Sequence, residues 1–128
     1  FIHLIQVALA DGEIDSNELA LLHRFGKRFS LTEQEVDLLI REESSHFYSP
    51  PYELEKRFEQ LYNAVEIILA DNQISSGEKS LFKKLAIAAS FSDETIAPLF
   101  DLLVGGIRED KDEQELFEKF RKARFFRS

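Results

Sequence analysis

Apolar residues recur along this chain at three- and four-residue steps, the spacing that gathers them on one face of an α-helix. Phe1, Leu4, Ile5, Ala8 and Leu9 share a face, while Ile2 and Val7 add apolar groups around it, which predicts a central first helix. Leu21, Leu22, Phe25 and Phe29 make a cleaner stripe on a second helix. Thr32, followed three residues on by Glu35, has the form of a capping box and opens a third helix through Val36, Leu39 and Ile40. The stretch from Glu43 to Pro51 reads as a loop. Within it Ser49 is expected to cap the next helix and the prolines to lie in its first turn, where a missing N–H costs nothing.

Leu54, Phe58, Leu61, Val65, Ile68 and Leu69 form the longest amphipathic run, a fourth helix. A fifth holds Leu81, Phe82 and Leu85, and a sixth Ile96, Leu99, Phe100 and Leu103. Gly105–Gly106 is expected to stop the sixth, and a charged seventh over about 110–124 turns Leu116, Phe117 and Phe120 inward. No strand-like alternation competes. The expected fold is all-α, about seven helices in a single domain over 1–128.

The two halves also align on each other. An offset of 60 lays Leu9-Ala10-Asp11 over Leu69-Ala70-Asp71 without a gap. It then sets Ile14 over Ile74, Ser16 over Ser76, Glu18 over Glu78, Leu21 over Leu81 and Ser30 over Ser90. Helical periodicity accounts for matched apolar positions but not for a matched acidic corner. The expectation is an internal duplication, repeat one about 1–45 and repeat two about 58–107, packed as a pseudo-twofold helical bundle.

Composition narrows the chemistry. Without cysteine there is no disulfide, thiolate metal site or Cys nucleophile, and the expected compartment is the cytoplasm. A formal net charge of −8 argues against general nucleic-acid binding, which needs positive surface, and favours cations or basic partners. No apolar run is long enough to span a bilayer, and no signal-peptide pattern opens the chain. The chain starts inside an apolar helix, so a longer parent protein is expected. His3, His23 and His46 form no metal-ligand spacing, and His23 is expected on a solvated face. No nucleophile elbow or phosphate-binding loop is present, so no enzymatic activity is expected.

The segment Asp11-Gly12-Glu13-Ile14-Asp15-Ser16-Asn17-Glu18 resembles the second half of an EF-hand loop. Two and four residues before Asp11, however, stand Leu9 and Val7, which cannot coordinate a cation through their side chains. A true EF-hand is rejected. Two readings remain. In one, Gly12 and Asn72 end a helix, and Asp15/Glu18 and Ser75/Glu78 are capping boxes that start the next. In the other, the carboxylates Asp11, Glu13, Asp15 and Glu18 attract a hard divalent cation, Ca²⁺ or Mg²⁺, while Gln73 and Ser75 weaken the second copy.

Ala10-Asp11-Gly12-x-Ile14-Asp15-x-x-Glu18 and its echo Ala70-Asp71-Asn72-x-Ile74-x-x-x-Glu78 are similar to the TerB-like family, over roughly residues 1–107. The resemblance implies a compact helical binding or adaptor module in stress-response systems such as tellurite resistance, without catalytic activity. It also implies a divalent-cation role for Asp11, Asp15 and Glu18 in the first copy and Asp71 and Glu78 in the second. A protein partner is expected.

The last residues reverse the overall charge. Arg121, Lys122, Arg124 and Arg127 interleave with Phe120, Phe125 and Phe126. This segment is either a last helix docked through its phenylalanines, its basic groups complementing the helix dipole, or a contact for an acidic partner, nucleic acid or the periphery of an anionic membrane.

Overall fold

The computed structural model describes residues 1–9, 14–46, 48–70 and 74–122, and seven α-helices lie within them. They are α1 (Ile2–Leu9), α2 (Ser16–Arg28), α3 (Glu33–Glu43), α4 (Leu54–Leu69), α5 (Ser76–Ala88), α6 (Asp93–Arg108) and α7 (Glu113–Lys122). No strand occurs among the described residues, and the fold is all-α. No helix among them is long and apolar enough to cross a membrane.

The apolar stripes meet in one core. Leu4 and Ile5 of α1, Leu22 and Phe25 of α2, Val36 of α3 and Phe58, Leu61 and Ile68 of α4 are buried in it. From the other side come Phe82 and Leu85 of α5, Leu99 and Leu103 of α6, and Leu116 and Phe120 of α7. Helix α5 is the hub, packing against α1, α2, α4 and α6, while α7 lies on α4 and α6. Phe58 joins the last helix to the bundle through ring contacts with Phe117 and Phe120 at 5.1 and 5.5 Å between centroids.

Three helix-to-helix corners share one geometry. Ser30, Ser90 and Asp110 each adopt a left-handed backbone, with φ of 61°, 71° and 60°. The following N–H, of Leu31, Phe91 and Lys111, donates to the carbonyl five residues back, of Gly26, Ala86 and Gly106. The left-handed residues themselves donate to Lys27, Ile87 and Ile107, completing a Schellman stop in each case. Two residues after each stop, Thr32, Ser92 or Asp112 precedes the next helix. Thr32 accepts from the Glu35 N–H at 3.1 Å and Asp112 from the Glu115 N–H at 2.8 Å, whereas Ser92 pairs its hydroxyl with that of Thr95.

Three sequence expectations change here. Helix α6 does not stop at Gly105–Gly106 but runs through both to Arg108. Gly106 is a contact position: a Cβ there would lie 2.9 Å from Leu116 Cγ and closer still to both Cδ atoms. Ser49, Pro50 and Pro51 lie outside α4, which begins at Leu54 after Glu53 without a side-chain cap. The prolines therefore shape the connection rather than the first helical turn, and Tyr52 beside them is 96% exposed. His23 is not simply solvated, since its Nε2 stands 2.6 Å from Asp37 Oδ1 and ties α2 to α3.

Arginines finish two other helix ends. Arg28 of α2 donates to the Ile67 carbonyl in the last turn of α4. Arg57 of α4 donates to the Ala89 carbonyl just past α5 at 3.1 Å. Both bring a side-chain donor to carbonyls at a helix end, the Ile67 carbonyl also accepting the Ala70 N–H at 3.4 Å.

Candidate functional site

The acidic corners lie where α1 leads to α2 and α4 leads to α5. Asp11, Glu13 and Asp71 are outside the described residues, while Asp15, Glu18 and Glu78 are within them. Asp15 is the N-cap of α2: its Oδ1 accepts the Glu18 N–H at 2.7 Å, and Glu18 Oε1 accepts the Asp15 N–H at 3.4 Å. Ser75 and Glu78 repeat the arrangement on α5, at 3.1 and 2.9 Å. Both capping boxes expected from the sequence are present.

Each glutamate uses only one carboxylate oxygen on its own helix. The other reaches across to the opposite half. Glu18 Oε2 accepts from Lys84 Nζ of α5 at 2.7 Å. Glu78 Oε2 faces the Arg24 guanidinium of α2 at 3.3 Å, an ion pair held by charge without the alignment of a hydrogen bond. The same offset of 60 that lays Glu18 over Glu78 lays Arg24 over Lys84. The two pairs are therefore reciprocal, each half supplying one acid and one base to the other.

The pairs differ in solvation. Glu78 is 1% exposed and Glu18 is partly buried. A fully buried carboxylate is costly unless charge and hydrogen bonds compensate it, which makes Arg24 and the Ser75 N–H necessary partners for Glu78. Sequence reasoning missed Arg24 and Lys84. The signal was present, because both stand six residues after a capping glutamate, but a base on one helix does not reveal which acid on another it will meet.

Among the described residues, no group of three or more His, Cys, Asp or Glu side chains is placed to hold a metal ion. Asp15, Glu18 and Glu78 are brought to helix starts and cross-half pairs rather than to one coordination centre. Gln6 and His46 meet at the Glu43 carboxylate, and His3 reaches Gln6 rather than the carboxylate. Gln6 bonds Glu43 at 2.8 Å and faces His3 at 3.5 Å, while His46 stands 3.6 Å from Glu43.

Of the basic-aromatic segment, Arg121 and Lys122 are exposed at the end of α7, and Arg124, Phe125 and Phe126 lie outside the described residues. Arg121 bonds Glu118 on its own helix at 2.9 Å and stacks over Phe117 at 5.9 Å. Phe120 is fully buried and docks α7 as expected.

A concentration of negative charge runs along α4 and the start of α7. Glu113 titrates above the usual carboxylate range because burial disfavours its charged form, with Glu59 and Glu55 adding repulsion. The neighbouring Tyr62 hydroxyl is also raised, by burial first and then by Glu66, Glu113 and Asp112.

No family model, curated protein or solved structure matches this chain.

Proposed function

We propose that this chain is a non-enzymatic, TerB-like binding or adaptor module, of the kind that serves stress-response systems, working through protein contacts. Its described corner carboxylates act in this reading as helix caps and as charges that lock one half onto the other. The observation that carries it is the reciprocity of Glu18–Lys84 and Arg24–Glu78. An ammonium and a guanidinium already occupy the place where a cation would relieve these two carboxylates. The same reciprocity supports descent from an internal duplication, because exchanging the halves exchanges the two pairs.

A second reading keeps a divalent cation at the first corner. It is favoured by the crowding of Asp11, Glu13, Asp15 and Glu18 within eight residues, with no base among them. Calorimetric titration of Ca²⁺, Mg²⁺, Zn²⁺ and Mn²⁺ into the wild type and into Asp11→Asn separates the two. The adaptor reading expects no heat and no melting shift at millimolar metal. Saturable heat that Asp11→Asn removes would replace it with the cation reading.

A further inference from the structure

The α2–α3 cleft and the α5–α6 cleft correspond at the offset of 60, yet they are finished differently. In the first, His23 Nε2 reaches across to Asp37 at 2.6 Å, and its Nδ1 stands 4.0 Å from Glu33. The counterparts of His23, Asp37 and Glu33 are Lys83, Ala97 and Asp93. Alanine brings no acid to meet across the cleft, and the Lys83 side chain is exposed. A pocket of 280 Å³ takes the place of the bridge.

This pocket has an apolar floor between walls of opposite charge. Phe82, Ile96 and Phe100 make the floor, the two rings 4.8 Å apart between centroids, and Ala97 is exposed beside it. Lys79 and Lys83 stand on the α5 wall, Asp93 and Asp101 on the α6 wall, all four exposed. The lining carries no other charge. Among the described residues no ion pair joins these lysines to these aspartates. Lys79 and Asp101 belong to this half alone, since their counterparts are Leu19 and Arg41.

Unpaired charge of both signs on facing walls, above a small apolar floor, complements a small zwitterion with an apolar body. A monoanion would suit the lysines but face two aspartates, and a monocation would meet the reverse. A wholly apolar molecule would draw both pairs partly out of water without a partner. The size agrees, because roughly 300 Å³ is the small end of ligand pockets and holds one amino acid rather than a nucleotide.

We infer that the α5–α6 pocket binds a free apolar amino acid. Its side chain rests on Ile96, Ala97 and Phe100, its carboxylate turns to Lys79 and Lys83, and its ammonium turns to Asp93 and Asp101. The ligand then bridges this cleft as His23 and Asp37 bridge the other. This goes beyond the adaptor reading and does not rest on it.

The test is a heteronuclear NMR titration with L-phenylalanine, run beside phenylpropionate, which lacks the ammonium, and phenethylamine, which lacks the carboxylate. Saturable shifts at millimolar L-phenylalanine, centred on the Lys83 and Ala97 amides, are expected, with each singly charged analogue at least about tenfold weaker. Ala97→Asp restores the acid that Asp37 supplies in the other cleft, and Ala97→Leu fills the space without charge. Each should weaken binding at least about tenfold. Position 97 is exposed, so both variants keep the fold. Glu42→Gln, on α3, should bind as the wild type does. Absence of saturable shifts, equal binding of either analogue, equal weakening by Glu42→Gln, or binding indifferent to both Ala97 variants would overturn the proposal. The metal titration is decided separately, since none of these residues lies at the acidic corners.

Discussion

Arg24 and Glu78 face each other at 3.3 Å across the α2–α5 contact, 54 residues apart in the chain, with the carboxylate almost wholly buried and the guanidinium half exposed. Truncating the base leaves the acid uncompensated. Arg24→Met is therefore expected to lower stability by about 3 kcal/mol, the low end for a broken buried pair, because water can enter where the guanidinium was. Lys84→Met breaks the reciprocal pair at the less buried Glu18 and should cost only about 1 kcal/mol. Chemical denaturation of both variants measures the difference, and equal costs would show that burial does not distinguish the two corners.

Adjacent glycines in α6 should respond in opposite directions. A methyl at Gly105 meets nothing within 4 Å, so Gly105→Ala should stabilise by about 0.5–1 kcal/mol through helix propensity. A methyl at Gly106 collides with Leu116 of α7, which is fully buried, and Gly106→Ala should destabilise by about 1–3 kcal/mol. Thermal melts of the pair settle the sign of each.

The left-handed stop at Ser90 carries a side chain where glycine is strain-free. Ser90→Gly should raise stability by up to about 1 kcal/mol, part of the relief being offset by greater freedom of the unfolded chain. Ser90→Val, with a branched side chain at the same φ of 71°, should lower it.

Glu113 provides a pH signature. Its folded carboxyl titrates above the ordinary value, so the fold favours the neutral form. That contribution is complete below the unfolded carboxylate range and is lost as pH rises through the raised folded value. Near neutral pH the ionised side chain is a net cost, moderated by solvent. Glu113→Gln should therefore raise the melting temperature at about pH 7 and change it little at about pH 4, with added salt shrinking the effect. A melting temperature lowered at neutral pH would contradict this sign.

Much of the fold was legible because local physics dictates it. The stripes of Leu22 and Phe25, Phe58 and Leu61, and Leu116 and Phe120 identified buried faces, and the Thr32/Glu35, Asp15/Glu18 and Ser75/Glu78 boxes marked helix starts. Helix ends were harder. Gly106 looked like a stop yet serves close packing, whereas the actual stops use Ser30, Ser90 and Asp110, none of them the glycine that usually marks a left-handed stop. At the candidate site the caps could be read, since cap and partner lie three residues apart. Arg24 and Lys84 could not, because their partners are set by how α2 and α5 cross.

The central claim is that Lys84, rather than a bound metal, compensates Glu18. A double-mutant cycle of Glu18→Gln and Lys84→Met, read by unfolding in EDTA and again in millimolar Ca²⁺ or Mg²⁺, addresses it directly. A coupling of about 0.5–1 kcal/mol, unchanged by cation, is the predicted result. A coupling that vanishes in EDTA, with the cost of Glu18→Gln growing as metal is added, would contradict it.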